Sequence, residues 1–219
     1  MLKKYEEHLE IINSVVLQIA KNILSSNKII LEALKECDVS MLSNAEEKLN
    51  NISQKVVVMD NVVIKTLALF TPEATDLRHV VSFFKVSNEL QRAAANTRSY
   101  IKTFEVYCNC ISKDDLEKYA MPLHKSTIEC LEGVIAMIEC EEDEVKTNFD
   151  KVIEAEKRTD EQYNIFQSHI FSLDKKIEDF GKFTKILNVL RKNEKIADRS
   201  VDMAYLILFA RIGGTLGEI

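Results

Sequence analysis

The chain has 219 residues, of which 46% are apolar and 29% charged, with 5 glycines, 2 prolines, no tryptophan and a net charge of −6. That is a globular composition with too few turn residues for a sandwich, a barrel or a Rossmann sheet. It holds no glycine-rich phosphate loop and no basic stripe of the kind that grips nucleic acid.

Helical periodicity runs nearly end to end. Leu9, Ile12, Val16, Ile19, Ile23 and Ile30 keep heptad spacing in a first helix. Asp38 or Ser40 can cap a second, with Leu42, Leu49, Val56, Val63, Leu67 and Phe70 inward. Thr71, Pro72 and Glu73 read as a helix start, an N-cap threonine followed by proline at the first helical position. The third helix carries Leu77, Val80, Phe84, Ala94 and Ile101 on its inner face. Ser112 with Asp115 opens a fourth, whose apolar set is Leu116, Leu123, Cys130, Val134 and Met137. The fifth begins near Glu142 and the sixth after Asp174, and Gly213 ends the last.

Sliding the chain by 103 residues superposes the first three helices on the last three without a gap. Glu36 and Cys37 land on Glu139 and Cys140, Lys48 on Lys151, and Phe70 on Leu173. The expected fold is all-α, two tandem three-helix bundles of up-down-up helices, the first over residues 1–110 and the second over 111–219. One long six-helix bundle is the alternative. The five cysteines, Cys37, Cys108, Cys110, Cys130 and Cys140, lack zinc-ribbon spacing and read as reduced thiols, mostly small core fillers. His8, His79, His124 and His169 share no spacing and read as surface or satisfied polar groups.

The most informative feature lies in the second repeat. Val145, Phe149, Val152, Glu156, Thr159, Tyr163, Phe166 and Ile170 alternate at three- and four-residue steps, which puts Glu156 on a core stripe. Leu187, Leu190, Glu194, Ala197, Val201 and Ala204 do the same for Glu194. Each glutamate is followed four residues later by an aspartate, Asp160 and Asp198. With a hairpin apex near Ile177, Asp160 faces Glu194 and Glu156 faces Asp198; an apex nearer Asp174 shifts the register by about two turns. Four carboxylates on one seam need a cation. Either a metal ion held by oxygen ligands supplies it, or ion pairs with Lys157, Arg158, Lys192 or Lys195 do. Asp202 could extend the acidic row or sit in solvent. The first repeat lacks all four charges: the equivalent positions are Ser53, Val57, Gln91 and Ala95.

The stretch Thr71-Pro72-Glu73-Ala74-Thr75-Asp76-Leu77-Arg78 resembles the P-x-A-x-D-L-R start of the third helix in the PhoU family of phosphate-uptake regulators. The family's E-R-x-x-D is replaced downstream by Gln91-Arg92-Ala93-Ala94-Ala95. Its second copy is similar to Asn193-Glu194-Lys195-Ile196-Ala197-Asp198, and Glu156 to Asp160 looks like the partner acidic motif. The resemblance implies a cytoplasmic, non-enzymatic protein, often a homodimer, that binds divalent or iron-type metal (Fe, Mn, Mg, Zn or Ca) through Glu156, Asp160, Glu194 and Asp198. It implies negative regulation of phosphate uptake and phosphate-starvation signalling. The implied contacts are a phosphate ABC transporter and a sensor histidine kinase, with the membrane reached only through partners. The missing acids of the first repeat leave one metal site, in the second repeat.

Asp76 and Arg78 could belong to a partner-binding surface. Alternatively Asp76 serves the first helical turn, where negative charge is favourable, and Arg78 pairs with a neighbouring acid. A metal-free helical scaffold for another phosphate or ion transporter is the second functional reading. A ferritin-like metalloenzyme is the third, although the chain has no Glu-x-x-His. The N-terminus opens on Lys3, Lys4, Glu6 and Glu7 with no apolar signal core, so the default expectation is the cytoplasm.

Overall fold

The computed structural model describes residues 2–70, 72, 74–172 and 180–214. Its helices are α1 (Leu2–Glu36), α2 (Leu42–Lys48), α3 (Ile52–Phe70), α4 (Ala74–Thr103), α5 (Glu105–Cys110), α6 (Lys113–Asp115), α7 (Met121–Glu139), α8 (Val145–Ser172) and α9 (Phe180–Ile212). The first bundle is α1, α2 with α3, and α4; the second is α7, α8 and α9. They pack side by side through α1 on α7 and α4 on α9, the latter being the most extensive helix pair. This is the two-bundle arrangement, not one six-helix bundle.

Equivalent helices meet antiparallel. Lys21 bonds Glu139 and Lys28 bonds Glu132, so α1 and α7 run in opposite senses. The 103-residue phase is visible at the helix ends: α1 stops at Glu36 and α7 at Glu139, and 3-10 turns follow at Val39–Met41 and Glu142–Glu144. The heptad residues named above for the first and fourth helices are buried, apart from half-buried Leu9. One continuous apolar core runs through both bundles.

Capping follows the expected chemistry where it is local. Ser112 Oγ accepts from the Asp115 N–H at 3.1 Å, and Asp38 accepts from the Ser40 N–H at 2.9 Å. Gly213, at φ +90°, donates its N–H to Phe209 at 3.0 Å and stops α9. Pro122 lacks an N–H and its ring would meet the Lys118 carbonyl, so the preceding turn, Leu116–Ala120, widens to a π-helix. Pro72 is not the first helical position expected for it, since α4 begins at Ala74; Thr71 and Glu73 of that expected start, and the expected hairpin apex at Asp174 to Ile177, lie outside the described residues.

Three further expectations are corrected. The second helix is not continuous: it breaks at Leu49–Asn51, where Asn51 takes φ +63°, and Arg98 of α4 donates to the freed Leu49 carbonyl. Leu77 does not point inward but is 42% exposed at the start of α4. Cys37 and Cys108 are not reduced thiols but a disulfide with Cα atoms 5.6 Å apart, while Cys110, Cys130 and Cys140 are free. Cys37 ends α1 at φ +52°, a left-handed reversal, and the bond ties that end to α5. One repeat on, Arg211 donates to the Cys140 carbonyl at 2.8 Å, so the equivalent positions are joined there by a hydrogen bond.

Four helices meet at a fully buried polar cluster. His124 of α7 has Nε2 2.9 Å from the Asn27 carbonyl and Nδ1 3.0 Å from the Asn193 side-chain amide, and Asn27 Nδ2 donates to Thr97 at 3.2 Å. Both partners are oxygens, the Asn27 carbonyl and Asn193 Oδ1, so a neutral ring donates to only one of them. Burial holds the His124 imidazole below its usual range, opposed by the contacts with Asn27 and Asn193. The unfolded chain therefore binds a proton that the folded one refuses, and stability falls as pH drops through the ordinary histidine range. Denaturant melts at pH 7 and pH 5 should show the native chain losing more stability on acidification than a His124→Gln variant does.

Candidate metal centre

Glu156 and Asp160 sit one turn apart on α8, and Glu194 and Asp198 one turn apart on α9. The stripe that carries them is otherwise core: Val152, Thr159, Phe166, Leu190 and Ala197 are buried. That packing fixes the seam along which the acids project.

The structure brings three of the four together. Single carboxylate oxygens of Glu156, Asp160 and Asp198 lie within 4.8 Å of one another. Oxygens each about 2.0–2.6 Å from one cation are separated by no more than about 5 Å, so the trio fits a shared hard ion. Glu194 stands beside this group. Its Oε2 is buried without a hydrogen-bond partner, and Arg191 Nε is 3.8 Å away.

In the cluster, burial and mutual repulsion outweigh the nearby cations Lys157, Arg191 and Arg199. Burial raises the Glu156 carboxyl, and Asp160 and Asp198 raise it further. Burial raises Glu194 too, with Asp198 and Asp160 adding to the shift and Arg191 opposing it. Asp198 is raised by burial first and by Asp160 next. The expected ion pairs do not form on the trio. Arg158 is taken by Glu129 of α7 at 2.5 Å, and among the described residues no Lys or Arg makes a salt bridge to Glu156, Asp160 or Asp198. Asp202 pairs with Arg199 at 2.8 Å and is half exposed, and its charge still helps to raise Asp198.

The first repeat shows what the seam is without the acids. Gln91 Nε2 donates to Ser53 Oγ at 3.4 Å, so the positions equivalent to Glu194 and Glu156 face each other directly. Val57 and Ala95, equivalent to Asp160 and Asp198, are exposed.

Sequence reasoning missed the support behind Asp198. Arg199 reaches across to Glu89 of α4 at 3.0 Å, and Arg92 meets the same carboxylate at 3.3 Å. Beside them Arg92, Asn96, Lys195, Asp198 and Arg199 line an open cavity of about 350 Å³. Asp76 is exposed in the first turn of α4. Together with burial, it pushes the Tyr5 phenol up to about 12. Arg78 donates to Thr75 at 3.3 Å and lays its guanidinium over Gly213, with Cζ 3.3 Å from where a Cβ would sit. That contact joins the start of α4 to the end of α9.

The fold is an all-helical double three-helix bundle, and its second bundle carries the acidic seam. Two solved structures share the fold: PhoU from Pseudomonas aeruginosa (TM-score 0.81, 18% identity, 96% of this chain and 100% of that one) and the phosphate transport system regulatory protein PhoU from Streptococcus pneumoniae (TM-score 0.78, 19% identity, 98% and 100%). No family model matches the chain. In sequence it is 24% identical over 193 residues to a phosphate-specific transport system accessory protein PhoU homolog of Zymomonas mobilis, covering 86% of this chain and 78% of that protein. The chain is PhoU-like, in sequence as well as in fold. Among the described residues no helix is long and apolar enough to cross a membrane.

Proposed function

We propose that the chain is a non-enzymatic, PhoU-like negative regulator of phosphate uptake and phosphate-starvation signalling, built from repeats 1–110 and 111–219, and that it holds one metal site in the second repeat. The observation that carries the metal reading is the convergence of Glu156, Asp160 and Asp198, unbridged by any Lys or Arg among the described residues, with a Glu194 oxygen beside it that lacks a hydrogen bond. Oxygen-only donors suit magnesium, calcium, manganese or iron. A bound cation would neutralise the seam and lock α8 against α9, presenting one rigid face to a partner. The relatives' names point to the phosphate transport system, and on the family resemblance we assign a phosphate ABC transporter or other phosphate transporter, and a sensor histidine kinase, as partners. A homodimer in the cytoplasm, with Asp76 and Arg78 on the partner-binding surface, completes the reading.

A second reading has one observation in its favour. The neutral Ser53–Gln91 seam folds without a cation, so a metal-free scaffold for another phosphate or ion transporter is consistent with the fold.

Elemental analysis separates the two. The protein is purified without chelator or metal-affinity tag, beside a Glu156→Gln/Glu194→Gln variant. We expect stoichiometric metal in the native chain and none in the variant. A native chain that stays empty after incubation with iron, manganese or magnesium would overturn the metal reading. Affinity capture that recovers neither a phosphate transporter nor a sensor kinase would overturn the regulatory one.

A further inference from the structure

We propose that Cys37 and Cys108 are a reversible redox modification site, whose reductant is a small-molecule thiol of the glutathione class, and that the bond latches the inter-repeat helix α5 to the end of α1. Three observations carry this, and none depends on the metal seam. Both cysteines are half-buried and not sealed in the core, so a thiolate in solution can reach a sulfur. Free Cys110 lies two residues from Cys108 and is half-buried, so an unpaired thiol stands near solvent beside the bond. Most tellingly, the second repeat makes the equivalent tie with the Arg211 to Cys140 hydrogen bond. A bundle of this design therefore closes at that corner without a covalent link. Breaking the bond is expected to release α5 and leave the core standing.

The chemistry balances with two thiols. One thiolate attacks a sulfur of the disulfide, forming a mixed disulfide and expelling the other cysteine as thiolate, which takes up a proton. A second thiol then displaces the first cysteine, which is protonated in turn. The products are two cysteine thiols and one oxidised small-molecule disulfide. Oxidation by that same disulfide runs the sequence backwards.

The test equilibrates the full chain in reduced and oxidised glutathione mixtures, quenches in acid and alkylates. Intact mass should move between 3 and 5 alkylated cysteines in one transition within the glutathione range, and peptide mapping should place both new labels on Cys37 and Cys108. Trypsin cleavage at exposed Lys113, just beyond α5, should quicken by about tenfold on reduction. Cys37→Ser and Cys108→Ser should cleave at the fast rate in either buffer with unchanged helical circular dichroism, whereas Cys110→Ser should keep the couple. Five alkylated cysteines in excess oxidised glutathione, a bond that survives excess reduced glutathione, or equal cleavage rates would each overturn the proposal.

Discussion

Replacing Glu156 and Glu194 together by glutamine should raise the melting temperature of chelator-treated protein, and should abolish the further rise that a divalent cation brings. The double variant removes two half-buried charges from a seam in which Asp160 and Asp198 repel them. Because the groups are partly solvated, screening limits the gain to about 1 kcal/mol, roughly 2–4 °C in a chain of this size. A metal at a hundredfold excess over its Kd would add about 2.7 kcal/mol to the native chain alone. The pH dependence has a definite sign. Folded Glu156, Glu194 and Asp198 hold protons more tightly than the unfolded chain does, so metal-free stability is fully present below the ordinary carboxylate range. It is lost as pH rises through their elevated range. The double variant should show less of that slope. Differential scanning fluorimetry with and without chelator reads all of this, and a double variant that melts below the native chain in chelator would contradict the account.

The second large effect sits behind the seam. Gly133 of α7 lets α8 approach so closely that an added Cβ would lie 2.5 Å from Val152 Cγ2. Val152 is fully buried and one turn before Glu156. A β-branched side chain in a helix has one favoured rotamer, so it cannot swing aside. Gly133→Ala should therefore cost about 1–3 kcal/mol through overpacking, a fall of roughly 5 °C, despite alanine's better helix propensity. Val152→Ala in the same chain should recover most of the loss, a coupling that a double-mutant cycle measures. A Gly133→Ala protein that melts like the native one would mean that α7 and α8 do not touch there.

The helices were legible because their signals are local. Ser112 with Asp115, Gly213 and the heptad stripes each act within one or two turns, and each forms as its residue types demand. The acidic seam was legible for the same reason: charge on an apolar stripe is visible at three- and four-residue spacing. Its composition was less so. The trio is Glu156, Asp160 and Asp198, with Glu194 drawn toward Arg191, and side-chain reach at that scale is not written in periodicity. What stayed hidden is long-range. The break at Leu49 depends on a guanidinium from Arg98, and the Cys37–Cys108 bond joins residues 71 apart. Leu77 keeps helical phase yet lies exposed in the first turn of α4.

The antiparallel meeting of α1 with α7 and of α4 with α9 has a consequence for how such a molecule can change. Two equivalent units facing each other in opposite senses form an isologous interface, the arrangement of a two-fold dimer, here with both copies on one polypeptide. In a true dimer every substitution is written twice, so an acidic pair cannot be lost from one half and kept in the other. Fusion removes that constraint. Ser53 and Gln91 can close one seam by a hydrogen bond while Glu156 and Glu194 keep theirs acidic.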